Sequence, residues 1–300
     1  MQPTFSGLWP AMLTPLDASG EPNLAAVEKL VEWFVSEGLD GLYLTGSTGQ
    51  WPLLNLEQRK AVAERAVRTA AGRIKTMVHV GAVATEDAVE LARHARKVGA
   101  DAISSVAPVY YAASSDATFE HYRRVGEAGE LPFFAYHLSQ VNQLSLDARE
   151  YVERLLSVPN LAGMKFTDRD LYQFGLLHSY GGERLQLFSG ADELLCHAVL
   201  CGAIGAIGTF YNVWGPACRK ARQEFAAGSV ERGRRFMLVF QRAIHEAMRS
   251  HGVWSFLRGA VQLKSGIDVG MPRAPLGGLD KPWPEGELRR IVEMVDEAAK

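Results

Sequence analysis

Short apolar runs rich in β-branched and aromatic residues recur along the chain. Each is followed by a turn and then by a longer stretch in which apolar side chains return every three or four positions. The runs 8–13, 41–45, 76–80, 102–107, 133–136, 163–166, 185–188 and 203–207 predict eight strands. Between the first two, 24–36 places Leu24, Val27, Leu30, Val31 and Phe34 on one stripe and Glu28, Lys29 and Glu32 on the other face. The stretch 56–71 opens after Asn55 with Gln58 three positions on, a pairing whose side chains can satisfy the free N–H groups of a helix start. Helices are predicted likewise over 85–98, 116–128, 146–156, 168–178 and 192–200.

Strands separated by helices must run parallel, because the chain needs a crossover to return to the same edge. Eight such units in roughly 210 residues fit an α/β fold of the (β/α)8 (TIM) barrel type better than an open doubly wound sheet. Beyond Asn212 the strand signal stops, and 216–227, 230–249, 254–264 and 285–299 read as helices. The prediction is therefore a barrel over 1–212 with a C-terminal helical extension, 213–300, packed on the same domain.

Composition adds exclusions. At 300 residues, 47% hydrophobic and 22% charged, the chain has the make-up of a folded globular protein. A net charge of −2 supplies no basic field for nucleic acid or anionic lipid, so neither partner is predicted. No apolar run approaches the roughly 18 residues of a bilayer span, and residues 1–14 lack the basic start and apolar stretch of a signal peptide. Cys196, Cys201 and Cys218 are odd in number and fit no metal-knuckle spacing, which predicts reduced thiols and a cytoplasmic location.

In a parallel barrel the chemistry gathers at the C-terminal ends of the strands. Lys165 stands at such an end within Leu-Ala-Gly-Met-Lys-Phe, where an ammonium would lose hydration and a neutral amine could attack a carbonyl. The same position also suits a lysine that reaches out to solvent. Gly46-Ser47-Thr48-Gly49 offers hydroxyls and backbone N–H groups to a carboxylate, and equally an ordinary strand-to-helix turn. Gln50 and Trp51 follow where a phosphate loop would need lysine. Tyr136 could relay protons or fill the barrel, and Asp192 and Glu193 could bind substrate or cap a helix. Lys264, in an apolar C-terminal helix, is the second candidate amine. The histidines lack ligand spacing, so no metal site is predicted.

Together, Gly46-Ser47-Thr48-Gly49, Tyr136, Gly163-Met164-Lys165-Phe166-Thr167, Gly190-Ala191-Asp192-Glu193 and Gly208-Thr209-Phe210-Tyr211-Asn212 resemble the dihydrodipicolinate synthase and N-acetylneuraminate lyase superfamily in order and spacing. The resemblance runs nearly end to end, from Met12-Leu13-Thr14-Pro15 to Pro272-Arg273-Ala274-Pro275. It implies a Schiff-base lysine at Lys165, a proton-relaying tyrosine at Tyr136, a carboxylate site at Ser47 and Thr48, and at Tyr110 a tyrosine that crosses from a neighbouring subunit of a homotetramer. No arginine occurs in 137–143, where the synthases hold their second substrate, so the resemblance favours the lyase branch. There Thr167, Gly190, Asp192, Glu193 and Thr209 match positions that bind a polyhydroxylated chain. Three positions depart from the pattern: Gln50 for glutamate, Ser139 for a frequent proline and Thr209 for serine.

The implied activity is cofactor-free, class I aldol cleavage of a small 2-keto-3-deoxy sugar acid to pyruvate and an aldehyde. Dehydration of such an acid is the related alternative, and a non-catalytic keto-acid-binding barrel is the alternative of another class. Gln50 and Trp51 are expected to shape the pocket mouth.

Overall fold

The computed structural model describes residues 5–111, 113–140 and 146–300; Val141, Asn142 and Gln143, part of the arginine-free stretch, lie outside them. Eight strands are present among the described residues: β1 (Gly7–Pro10), β2 (Gly41–Leu44), β3 (Lys75–His79), β4 (Ala102–Val106), β5 (Phe133–Leu138), β6 (Leu161–Thr167), β7 (Gln186–Ser189) and β8 (Gly205–Gly208). Between them run α1 (Leu24–Ser36), α2 (Leu56–Ala70), α3 (Thr85–Val98), α4 (Ser115–Gly129), α5 (Ala148–Leu155), α6 (Leu171–Gly181) and α7 (Leu195–Leu200). After β8 comes α8 (Tyr211–Ala226), which packs against β1 and α7 as the eighth helix of the barrel, and then α9 (Val230–Arg249), α10 (Val253–Ser265) and α11 (Glu285–Ala298). None of the described helices is long and apolar enough to cross a membrane.

The strands pair in parallel in the order β1-β8-β7-β6-β5-β4-β3-β2. The ends meet where Ala11 bridges Tyr43 and the Met12 N–H donates to the Tyr43 carbonyl at 2.9 Å, which makes a (β/α)8 barrel. This handover explains why β1 stops at Pro10 and not at Leu13. The Ala11 N–H still reaches β8, at the Gly208 carbonyl (2.8 Å), but Met12 has already turned to β2.

Alternation along the strands sorts the core into two layers. Trp9, Tyr43, Met77, Phe134, Phe188 and Ile207 fill the barrel interior, whereas Leu8, Leu42, Leu44, Ile103, Phe133 and Leu187 pack against the helices. Helix starts follow their side chains. Asn55 and Gln58 form the reciprocal cap of α2, at 2.9 and 3.0 Å. Asp170 caps α6 by accepting from the Gln173 N–H at 2.8 Å, so that helix begins three residues later than its apolar pattern predicts.

Helix α8 starts at Tyr211, ahead of Pro216. Trp214 (φ −115°, ψ 25°) leaves helical geometry just before the proline, whose ring nitrogen has no hydrogen to donate. The Trp214 indole N–H donates to the Val292 carbonyl at 3.0 Å, tying α8 to α11. Between α10 and α11 the chain returns to the barrel. Arg273 donates from its guanidinium to the carbonyls of Gly20 and Leu53, both at 2.7 Å, and to Gln58 Oε1 at 3.0 Å. Cys196, Cys201 and Cys218 are free thiols.

Candidate active site

The turn after β2 is pinned from several sides. Thr45 (φ 50°) and Gln50 (φ 61°) bracket it in left-handed conformations that side-chain-bearing residues rarely adopt. Thr45 Oγ1 donates to the His79 carbonyl at 3.1 Å and Thr14 Oγ1 to the Gly49 carbonyl at 2.8 Å, which holds the turn against β3 and β1. Ser47 is thereby left exposed with Oγ 3.5 Å from the Tyr136 hydroxyl, and Thr48 Oγ1 lies 2.7 Å from Thr209 Oγ1. Gln50 is buried, and its Oε1 accepts the Arg273 N–H at 2.9 Å. Its side chain thereby ties the turn to the segment that carries Arg273.

Lys165 is only 4% exposed. Its Nζ stands 4.3 Å from the ring centroid of Tyr43 and 4.3 Å from that of Tyr136, within the range of cation–π attraction. Tyr43 and Tyr136 meet edge to face at 6.2 Å, and the Tyr43 hydroxyl hydrogen-bonds Ser104 Oγ at 3.1 Å. Burial, then the neighbouring Tyr136, raise the Tyr43 phenol well above its ordinary range, so it stays neutral.

Thr167, at the end of β6, is two positions from Lys165 and so on the same face of the strand. Its Oγ1 is buried without a hydrogen-bond partner among the described residues and points at Gly190, where a Cβ would lie 1.8 Å from that oxygen and 3.2 Å from Lys165 Cε. Asp192 is buried in a 3-10 turn, Asp192–Leu194, that precedes α7. It caps neither helix. Oδ2 accepts the Phe210 N–H at 2.7 Å, while Oδ1 has no partner and sits where a Cβ on Gly208 would lie 1.5 Å away. Burial pushes the Asp192 carboxyl up to about 7, only partly offset by the Phe210 N–H. Glu193 is half-buried at the edge, its Oε1 3.5 Å from Arg169 Nε.

These contacts gather Lys165, Tyr136, Ser47, Thr48, Thr167, Gly190, Asp192 and Thr209 at the C-terminal end of the barrel. Tyr110 is not among them. It is 89% exposed, with φ +77°, and its ring touches only that of Tyr111, at 5.1 Å, among the described aromatic side chains. Lys264 lies apart, paired with Asp296 at 2.8 Å in the extension.

Three further side chains, those of His79, Arg59 and Asn212, brace the site, and Asn212 ends the Gly208-Thr209-Phe210-Tyr211-Asn212 run. His79 is fully buried, its Nδ1 3.2 Å from the Thr45 carbonyl and its Nε2 accepting the Val106 N–H at 3.4 Å. Burial, then the charges of Arg59 and Lys165, push its pKa well down, so the ring is neutral. Arg59 donates to the carbonyls of Gly81 (2.9 Å) and His79 (2.7 Å) and lies over the Trp51 ring, 5.3 Å from its centroid. Burial lowers its pKa to about 9, which leaves it a cation at neutral pH. Asn212 bonds the carbonyls of Ala11 (2.7 Å) and Thr209 (2.8 Å) and accepts the Leu13 N–H at 3.1 Å, sewing β8 to β1 beside Thr209. The signal that could have singled out Arg59 is a polar side chain inside an otherwise apolar stripe.

Against known proteins, the model of the Dihydrodipicolinate synthetase family matches residues 4–293. N-acetylneuraminate lyase of Escherichia coli (strain SMS-3-5 / SECEC) is 30% identical over 298 residues, 98% of each chain. Among solved structures, Proteus mirabilis N-acetylneuraminate lyase superposes with a TM-score of 0.86 at 30% identity, covering 98% of both chains. Wild-type Ruminococcus gnavus sialic acid aldolase gives 0.91 at 25%, also over 98% of both.

Proposed function

The chain belongs to the dihydrodipicolinate synthetase family, and from that premise we propose that it is a carbon–carbon lyase: a class I, pyruvate-dependent aldolase acting on a 2-keto-3-deoxy sugar acid of the N-acetylneuraminate type. The observation that carries this reading is the seat of Lys165, an amine buried between two tyrosine rings at the end of the barrel where such sites form.

In the proposed reaction Ser47 and Thr48 bind the substrate carboxylate through their hydroxyls and the N–H groups of the turn. Lys165 Nζ attacks C2, water leaves, and a protonated imine forms. That iminium accepts the electron pair of the C3–C4 bond as Tyr136 takes the proton of the C4 hydroxyl, which releases the aldehyde. Protonation of the enamine at C3 and hydrolysis of the imine then free pyruvate and the amine. The Tyr136 hydroxyl faces Ser47 Oγ at 3.5 Å, which supports a shared role for the two hydroxyls at the carboxylate end. Thr167, Gly190, Asp192, Glu193 and Thr209 line the remainder, where orphaned oxygens on Thr167 and Asp192 suit the hydroxyls of a sugar chain. Tyr110, projecting from the rim, is proposed to complete the site of a neighbouring subunit in a homotetramer. The chemistry uses no metal or organic cofactor.

Borohydride reduction in the presence of pyruvate, followed by peptide mass mapping, tests the mechanism. A reduced adduct on the peptide containing Lys165 is expected, and its absence would sink the Schiff base. Product analysis with N-acetylneuraminate and related acids distinguishes release of pyruvate and aldehyde from loss of water.

A further inference from the structure

Strand β5 extends past Tyr136 to Leu138, which turns the next residue, His137, to the opposite face of the sheet. There its ring stacks on Phe166 (4.7 Å between centroids, 23° between planes), which meets Phe174 of α6 edge to face. His137 is 2% exposed, and its Nε2 lies 3.2 Å from Asp168 Oδ2. Burial lowers the His137 pKa more than Asp168 raises it, so the ring is neutral. Burial would raise Asp168, but its hydrogen bonds to His137, Asp170 and Arg169 prevail and keep it a carboxylate. A carboxylate can only accept, so Nε2 carries the imidazole proton. Nδ1 is then a buried lone pair without a partner among the described residues.

Two further links join the same loops. The Ser139 N–H and Oγ donate to the Thr167 carbonyl at 3.2 and 3.4 Å. A proline at 139 could supply neither bond. Asp168 Oδ1 in turn accepts the N–H groups of Arg169 (2.6 Å) and Asp170 (3.2 Å), giving the loop after β6 a defined shape. Thr167 is enclosed between these links, its hydroxyl directed at Gly190.

We propose that His137, Asp168 and Ser139 form a latch across the tops of β5 and β6 that fixes Thr167 and so sets affinity for the part of the substrate beyond the pyruvate carbons. They are positioning residues. None belongs to the groups assigned to bond-making above, and the inference rests on that assignment of Lys165 and Thr167.

The test is His137→Phe, which keeps the stack on Phe166 and removes the N–H, beside His137→Gln, which keeps an N–H donor. For His137→Phe we expect KM for the sugar acid to rise about ten-fold, the loss of one hydrogen bond to a charged group. Its kcat should stay within about two-fold and borohydride trapping of pyruvate at Lys165 should be unchanged. His137→Gln should recover most of the KM. Hydrogen exchange at the Arg169 and Asp170 amides should accelerate in the Phe variant alone. An unchanged KM in His137→Phe, a parallel fall in pyruvate trapping, or equal defects in both variants overturns the latch while leaving the lyase reading intact. If the wild type traps no pyruvate, the lyase reading falls. The proposal then falls with it as a determinant of affinity, and unaltered amide exchange removes the latch itself.

Discussion

Thr48 and Thr209, 161 residues apart in sequence, share a 2.7 Å hydrogen bond across the mouth of the barrel. The bond joins the turn after β2 to the end of β8 on either side of β1, and both partners belong to the proposed substrate site. Thr209→Val removes the hydroxyl at nearly constant volume and leaves that of Thr48 unpaired. It should lower kcat/KM for the sugar acid about ten-fold, whereas Thr209→Ser should remain within about three-fold. Steady-state kinetics on the two variants separates the hydrogen bond from the methyl group.

Replacing Lys165 by methionine should separate function from stability. The buried amine gives way to an apolar chain of similar length, so adduct formation with pyruvate disappears while the thermal midpoint holds or rises. Calorimetry beside borohydride trapping reads both, and a large fall in the midpoint would show Lys165 to be mainly a packing residue.

Gly190→Ala places a methyl group 1.8 Å from Thr167 Oγ1 and 3.2 Å from Lys165 Cε. Something must shift, at a cost of about 1–3 kcal/mol, and the groups that shift are those of the site. A folded protein with about a hundred-fold lower kcat/KM is expected, measured by kinetics and circular dichroism together.

The buried Asp192 carboxyl leaves a signature in stability against pH. Its native pKa, about 7, lies above the ordinary 3.8, so between these values the native state holds a proton that the unfolded chain has lost. Stability from this group is therefore full below about pH 4, falls by about 1.4 kcal/mol per pH unit as pH rises towards 7, and is level above. In Asp192→Asn, whose amide oxygen can still accept the Phe210 N–H, this slope should vanish. Urea titrations from pH 4 to 8 on both proteins give the difference, and parallel curves would contradict the assignment.

If Tyr110 completes a neighbour's site, Tyr110→Phe should keep the sedimentation coefficient of the wild type and lower kcat about ten-fold or more. Equal kcat in the two proteins would remove Tyr110 from the reaction.

The barrel was legible because its two periods are written plainly: inward and outward positions alternate through Phe133, Phe134, Ala135 and Tyr136, and a stripe at three-to-four spacing marks α1. Lys165 was legible for a related reason, a charge inside an apolar strand. What stayed hidden depends on distant backbone. Arg59 answers carbonyls at the end of β3, and Asn212 reaches Ala11 and Leu13 across the barrel closure, neither of which a local window contains. The place of His137 stayed hidden because β5 runs on to Leu138, and strand parity then decides which way the ring faces. The Gln50 contact stayed hidden because its partner, Arg273, lies 223 positions further on.

That last contact ties the order of synthesis to the order of assembly. Lys165 and Tyr136 are made by the middle of the chain, but the Gly46–Gly49 turn gains its rear brace only once residue 273 has left the ribosome and folded back. A nascent chain halted before that point would hold its amine and lack a finished cradle beside it.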